Sequence, residues 1–238
     1  MRYKQDKDDF YTVSATEPYC LPLVAASHAG AIEAILGYGH EMTYFETSPG
    51  LYEIKAFPAE HPKEVEKRVK LRLYNSREAD NELERCDACG GPKALSGFKW
   101  HPERGVILDK LSGRRMAFMG PNQVEPVFHE LEKELGDEIP HIIVEAQRRS
   151  VKTGLYTAED IGDKGKFRDW LALRGLGNLR EFKMGSQGLS MRLDNATMHL
   201  LVTGILQGVF DTAYDVDSNV EWKLTEGDNL EVEVQPCG

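Results

Sequence analysis

Two cysteines separated by two residues give the sharpest chemical signal in this sequence, in the run Cys86-Asp87-Ala88-Cys89-Gly90. Two thiolates at this spacing suit half of a tetrahedral zinc or iron–sulfur site, and the glycine after them lets backbone N–H groups approach the sulfurs. The remaining ligands would have to come from elsewhere in the chain, where the candidates are Cys20, His28, His61, His101 and Cys237. The spacing therefore predicts a metal site, with zinc bound by Cys86 and Cys89.

The same pair has two other interpretations. A redox-active pair would need its first cysteine at the N-terminus of a helix, which lowers the pKa of the thiol. The run Gly90-Gly91-Pro92 argues against a helix at that point. The remaining interpretation is a plain surface turn, because the motif stands without a second close pair of ligands. A disulfide scaffold is not expected of four cysteines in 238 residues without a secretion signal.

Aromatic side chains in the second half of the chain could line a pocket for a hydrophobic ligand. Such pockets combine apolar walls with one or two polar anchors, a role that His141, His199 or Tyr214 could take. The alternative is that these side chains belong to the ordinary core. Gly204 and Gly208, one turn apart on an apolar helix, leave room that side chains must fill or a ligand can occupy. The predicted ligand contacts are Phe128, Tyr156, Trp170, His199, Gly204, Gly208 and Trp222.

No motif of a known catalytic class is present in the sequence. It has no Walker motif, no nucleophile elbow and no His-Glu-x-x-His run. Two classes of function therefore stay open, with the catalytic residues of the second unknown. One is a binding or sensor module for a small hydrophobic molecule, and the other is an enzyme or enzyme subunit that acts on such a molecule.

Composition excludes several partners. A formal net charge of −10 argues against non-specific binding to nucleic acid or to an anionic membrane, since both require a basic surface. No apolar run approaches the roughly 20 residues that span a bilayer, and the N-terminus shows no signal peptide. With 41% hydrophobic residues, the chain can bury a substantial core. We therefore expect a globular cytoplasmic protein.

Two amphipathic helix patterns lie at the centre of the chain. The first runs from Asn122 to a stop at Gly136, and the second runs from Asp137 to Gly154. Each has one apolar stripe, which must be buried against the β-rich segments on either side. The other predicted elements are, in chain order, a helix over 23–38, a hairpin over 42–57, a helix or strand over 65–74, strands over 98–100 and 106–108, a helix over 167–173, a hairpin over 180–193, a helix over 195–214 capped by Asn195, and a hairpin over 220–234.

An internal similarity links the two ends of the chain. His28 and Gly37 have the same spacing as His199 and Gly208, each pair lies in an apolar helix pattern, and a hairpin follows each helix. If this is a duplication, residues 23–57 and 195–234 should share one sheet-and-helix body with approximate twofold symmetry. Chance is the alternative, because a helix followed by a hairpin is common.

The order of elements over roughly residues 105–235 resembles the 4-vinyl reductase (hydrocarbon-binding) domain family. The resemblance is carried by the helix pair, the two hairpins and the runs Gly105-Val106-Ile107, Gly113-Arg114-Arg115-Met116, Gly208-Val209-Phe210 and Gly227-Asp228. It implies an α/β (α+β) fold with an antiparallel sheet and packed helices. It also implies an N-terminal half over 1–104, a ligand-binding half over 105–238 with an enclosed pocket, and a homodimer.

Many members of that family carry a structural zinc held partly by two cysteines on the last hairpin. Here the corresponding positions hold Lys223 and Glu231, so that zinc site is not carried over. Residues and resemblance together predict a sensor or carrier that binds a small hydrophobic or aromatic molecule. The alternative is a reductase-like enzyme, or a subunit of one, with zinc at the Cys-x-x-Cys loop.

Overall fold

The structure is a computed structural model that describes residues 2–5, 11–61, 74, 80–161, 163–225 and 227–237. The chain forms two compact units, one comprising Met1–Lys70 and Gly97–Phe118 and the other Leu71–Ser96 and Met119–Gly238. This division differs from the expected halves 1–104 and 105–238, because a hairpin over residues 98–109 crosses that boundary within the first unit. Apart from residue 74, the element expected over 65–74 lies outside the described residues. The expected class, helices with antiparallel sheets, is confirmed.

The first unit is built from one helix and two antiparallel sheets in its described part. Helix α1 spans Leu21–Leu36 and has Pro22 in its first turn, where a missing N–H costs no helical hydrogen bond. It ends at Gly37, whose left-handed φ of 79° lets its N–H reach the carbonyl of Glu33. The strands are β1 (Arg2–Gln5), β2 (Tyr11–Thr16), β3 (His40–Ser48), β4 (Leu51–Pro58), β5 (Phe98–His101), β6 (Val106–Asp109) and β7 (Arg115–Met116).

The larger sheet of this unit has the order β1-β2-β4-β3, and the smaller has the order β5-β6-β7. The hairpin β3–β4 confirms the prediction for residues 42–57. Alternation along β4 buries Ile54 and Ala56, and Ile54 packs with Val13 and with Ala25 of α1. The helix therefore covers one face of the larger sheet.

The second unit contains the predicted central helix pair. Its helices are α2 (Pro121–Leu135), α3 (Ile139–Ser150), α4 (Ala158–Ile161), α5 (Lys164–Leu173) and α6 (His199–Tyr214), and a π-helical turn (Val151–Leu155) follows α3. Its strands are β8 (Asn178–Gly185), β9 (Gly188–Asp194), β10 (Ser218–Thr225) and β11 (Asn229–Pro236). The start predicted for α6 is wrong. Asn195 and Met198 both have left-handed φ angles, so Asn195 does not cap the helix, which begins four residues later.

The sheet of the second unit has the order β10-β11-β9-β8 and buries one face. Its strands alternate as the sequence predicts: Trp222, Val232 and Met191 form one inward row across three strands, whereas Glu231 and Arg192 form the next row, facing away. The inward rows pack against apolar side chains of α5 and α6, which include Leu171, Leu206 and Phe210. This single core fixes the positions of α5, α6 and the sheet.

The predicted duplication is wrong. The hairpin β3–β4 and the hairpin β10–β11 belong to different sheets and to different compact units. The shared glycine spacing is also without structural meaning, because Gly37 ends α1 whereas Gly208 lies inside α6. The similarity was therefore a coincidence of spacing.

Candidate functional site

A groove of about 790 Å³ lies within the second unit. One wall is a segment that precedes α2, residues 80–92, which we call the strap. The opposite wall is the corner where α5 ends and β8 begins, together with the residue that follows β9. The lining residues are Asn81, Glu82, Leu83, Glu84, Arg85, Pro92, Ala172, Gly175, Gly177, Asn178 and Asn195.

Asp80 fastens the strap to this corner. Its carboxylate accepts hydrogen bonds from Arg168 of α5, from the side-chain amide of Asn178 at 2.8 Å and from the guanidinium of Arg180 at 2.9 Å. The hydrogen bond from Asn178, helped by Arg168, lowers the pKa of Asp80 from 3.8 to about 2. A second tie runs from the amide of Asn81 to the carboxylate of Asp169 at 3.2 Å. The strap is thus held by charge and hydrogen bonding at its first two residues.

The corner itself is held by backbone geometry. Gly175 has a left-handed φ of 66°, and a side chain placed there would meet no atom within 4 Å. Its carbonyl accepts the hydroxyl of Thr197 at 2.7 Å, and the N–H of Thr197 donates to the carbonyl of Leu176 at 3.0 Å. These bonds tie the corner to the segment between β9 and α6, so this wall of the groove is preorganised.

The lining combines apolar surface with several kinds of polar group. Leu83, Pro92 and Ala172 supply apolar contacts. Three side-chain amides, two carboxylates and one guanidinium also line the groove, although Glu84 is paired with Lys93 and Arg85 donates to the carbonyl of Gly90. The arrangement suits a small molecule that has an apolar body and a hydrogen-bonding group.

Among the aromatic residues predicted as ligand contacts, Tyr156, Trp170 and Trp222 pack against the core instead of lining this groove. Tyr156 and Trp170 meet edge to face, with ring centroids 5.2 Å apart, and the guanidinium of Arg174 lies 4.0 Å from the centre of the Trp170 ring. The rings of Trp222 and His141 also meet edge to face, with centroids 4.8 Å apart. Phe128 and His199 are half-buried, on α2 and at the start of α6. The ligand-binding role of these residues stays a prediction.

Gly204 and Gly208 have another evident role. A Cβ atom on Gly204 would lie 2.7 Å from the Cβ of Gln147, and one on Gly208 would lie 2.8 Å from the carbonyl oxygen of Arg148 and 2.7 Å from the Cβ of Val151. Helix α3 and the turn after it therefore occupy the space that the sequence left for side chains or a ligand. The glycines allow two parallel helices to approach closely.

A buried ionic cluster closes this helix contact. Asp211 of α6, fully buried, accepts the Nε–H of Arg148 at 2.6 Å and the hydroxyl of Ser218, and lies 3.0 Å from the ammonium of Lys152. Both cations also contact the exposed Asp217. Burial lowers the pKa of Arg148, but its bonds to Asp211 and to Glu145 outweigh that effect and raise it, so Arg148 stays charged.

The Cys-x-x-Cys run forms the compact loop that the sequence predicts. The N–H of Cys86 donates to the carbonyl of Gly91, and the N–H of Gly90 returns to the carbonyl of Cys86, both at 2.8 Å. The backbone N–H groups of Ala88 and Cys89, followed by the Cys89 thiol, lower the pKa of the Cys86 thiol by hydrogen bonding to its sulfur. Cys86 is half-buried and Cys89 is exposed.

A complete metal site is not visible in the described ranges of the chain. They contain no group of three or more histidine, cysteine, aspartate or glutamate side chains that could hold a metal ion. Cys86 and Cys89 could supply two of the four ligands that zinc needs, and the zinc predicted there stays a prediction. Within the same ranges, no helix has the length and apolar character needed to cross a membrane.

Comparison with known proteins gives solved structures of low similarity to this chain. No family model and no curated protein matches the chain. The phenol-responsive sensory domain of the transcription activator PoxR, solved with phenol, matches at 10% identity and a TM-score of 0.43, over 60% of this chain and 86% of that one. A vinyl-4-reductase family protein from Methanocaldococcus jannaschii matches at 14% identity and a TM-score of 0.31, over 47% and 75%.

An oxygen-binding H-NOX domain related to soluble guanylate cyclases matches at 15% identity and a TM-score of 0.32, over 52% of this chain and 76% of that one. The family that the sequence resembles is represented among these structures.

The strap and its anchors were missed at the sequence level. The residues that Asp80 joins lie 88 to 100 positions away in the chain, and no local period connects them. The available signal was compositional, since charged residues are dense between residues 58 and 85. That signal does not say which cations a carboxylate will meet.

Proposed function

We propose that the second unit binds a small molecule in the groove between the strap and the α5–β8 corner. The observation that carries the proposal is the groove itself, whose volume of about 790 Å³ falls within the range of roughly 300–1,000 Å³ usual for ligand pockets. One wall is fixed by the core, and the other is held at one end, where Asp80 and Asn81 bond to the α5–β8 corner. A ligand can therefore enter beside the strap without disturbing the core.

The lining favours an aromatic or hydrophobic compound that carries a hydroxyl or amino group. Leu83, Pro92 and Ala172 can cover an apolar body. Asn178 and Asn195 can accept or donate hydrogen bonds, and Glu82 favours a donor over an anion. These lining groups are suited to holding such a compound, and we therefore propose a sensor or carrier role.

Affinity for a very small ligand should be weak. Removing about 100 Å² of apolar ligand surface from water contributes about 2.5 kcal/mol, and a hydrogen bond adds about 1 kcal/mol before entropic losses. We therefore expect dissociation constants near millimolar for single-ring compounds and tighter binding for larger ones. Titration followed by protein NMR suits this range.

The test compares phenol, benzylamine and benzoate, which share a ring and differ in the polar group. Phenol and benzylamine should shift the resonances of the groove residues and bind at least tenfold more tightly than benzoate. The variant Ala172→Leu, which adds bulk inside the groove, should weaken binding at least tenfold. Ala146→Leu, an exposed alanine on α3, is the matched control and should leave binding unchanged.

Two results would overturn the proposal. One is shifts confined to residues outside the groove, and the other is equal loss of binding in both alanine variants. Chemical conversion of a bound compound would show that the unit is an enzyme and not a sensor or carrier.

A further inference from the structure

Two turns of this protein share one backbone design and differ in the side chains that complete it. The cysteine turn is Cys86–Gly91, and the aspartate turn is Asp109–Arg114. In the aspartate turn, the N–H of Asp109 donates to the carbonyl of Arg114 at 2.8 Å, and the N–H of Gly113 returns to the carbonyl of Asp109 at 2.9 Å. The corresponding bonds of the cysteine turn join Cys86 to Gly91 and Gly90 to Cys86.

The glycines match as well. The fifth residue of each turn is left-handed, with φ of 71° at Gly90 and 68° at Gly113. In the aspartate turn the backbone N–H groups of the third and fourth residues, Leu111 and Ser112, donate to Oδ1 of Asp109 at 2.9 and 2.8 Å. In the cysteine turn the N–H groups at the same two positions, those of Ala88 and Cys89, lower the pKa of the Cys86 thiol.

The fourth side chain completes the correspondence. The hydroxyl of Ser112 donates to Oδ1 of Asp109 at 3.1 Å, and the thiol of Cys89, at the same position of its turn, also lowers the pKa of the Cys86 thiol. The aspartate turn is thus closed by its own side chains, because a carboxylate accepts three hydrogen bonds with ease. A neutral thiol is a weak acceptor and does not satisfy two N–H groups in the same way.

We propose that the cysteine turn is a half-site for zinc, whereas the aspartate turn is its metal-free counterpart. A zinc-bound thiolate at Cys86 carries the negative charge that the carboxylate of Asp109 carries in the other turn. Cys89 supplies the second thiolate. Two further ligands complete the tetrahedron, from water, from other residues of the chain, or from the cysteine turn of a second copy.

The aspartate turn itself provides the variant for the test. Cys86→Asp with Cys89→Ser copies its side chains into the cysteine turn, so metal binding is removed while the turn keeps a charged acceptor. Ala88→Ser is the matched control, since it changes an exposed side chain of the same turn and keeps every candidate ligand in place. Full-length protein is kept reduced throughout and titrated with Co²⁺, whose sulfur-to-metal absorption reports bound thiolates, and with Zn²⁺.

Wild type and the control should show this absorption, with one metal ion per chain, or one per two chains if two copies share four thiolates. The copied turn should bind at least tenfold more weakly. Zinc should raise the Tm of the wild type and not that of the copied turn, whereas the two should melt alike in chelator. Absence of sulfur-to-cobalt absorption in wild type would overturn the proposal, as would equal binding by the copied turn.

Discussion

Two aspartates of the second unit have similar partners and opposite surroundings. Asp211 contacts two cations and one hydroxyl, and its side chain is 0% exposed. Asp80 contacts two cations and one amide, and its side chain is 59% exposed. A buried charge whose partner is removed is costly, whereas an exposed ion pair contributes little because water and salt compete for both charges. The buried contacts of Asp211 therefore stabilise the packing of α3 against α6 strongly. The exposed contacts of Asp80 stabilise the attachment of the strap only weakly.

The largest effect is expected from Asp211→Asn. The substitution keeps the shape but removes the charge that Arg148 and Lys152 face, and the unfolding free energy should fall by about 3 kcal/mol. Urea denaturation measures it. Asp217→Asn, which removes the exposed carboxylate of the same cluster, is the control and should have a much smaller effect. Equal losses of unfolding free energy in the two variants would mean that burial does not make Asp211 more important for stability than Asp217.

Gly208→Ala should have the next largest effect. The added methyl would lie within 3 Å of the Arg148 carbonyl and of Val151, so α3 must move, at a cost of about 2 kcal/mol. The matched control is Gly30→Ala in α1, where an added methyl meets no atom within 4 Å. That variant should be neutral or more stable by up to about 1 kcal/mol, because alanine favours the helix. A Gly208 variant as stable as the Gly30 variant would contradict close helix packing.

Asp80→Asn should change global stability very little and the strap considerably. One neutral amide cannot pair with both Arg168 and Arg180, so hydrogen exchange should accelerate at the backbone amides of the strap while α6 stays protected. Asp87→Asn, which removes one exposed negative charge within the strap, is the control. Faster exchange in α6, or unchanged exchange in the strap, would show that Asp80 is not the fastening point.

The smallest effect is expected from pH. The folded-state pKa of Asp80 is about 2, below the ordinary 3.8, so its contribution is fully present above 3.8 and is lost as pH falls towards 2. The side-chain amide resonance of Asn178 should titrate with a pKa near 2 in wild type. In Asp80→Asn the Asn178 resonance should no longer change with pH in this range. The same pH dependence in the variant and in wild type would mean that a group other than Asp80 causes it.

The local elements of this fold could be predicted from the sequence, and the long-range joints could not. The period of 3.6 located α2 and α3, and the period of two located β8 to β11, because each pattern reflects burial of one face. Gly208 shows the limit. A glycine inside an apolar helix predicts that another group approaches closely at that position. Only the structure shows that this group is the backbone at Arg148 and not a ligand. The bonds from Arg148 to Asp211 and from Arg180 to Asp80 span 63 and 100 residues, a separation over which periodicity carries no information.

The helix contact also determines which movements the second unit can make. Gly204 and Gly208 lie four residues apart on α6. Gln147 packs against the first, and Arg148 and Val151 pack against the second. A slide by one helical turn, about 5.4 Å, would carry Arg148 away from Asp211 and leave a buried charge without its partner. The close packing at the two glycines and the buried ion pair therefore oppose both sliding and rotation of α3 relative to α6. If the groove binds a ligand as proposed, the effect of binding would pass to the rest of the unit through the strap or the sheet, because α3 and α6 resist sliding past each other.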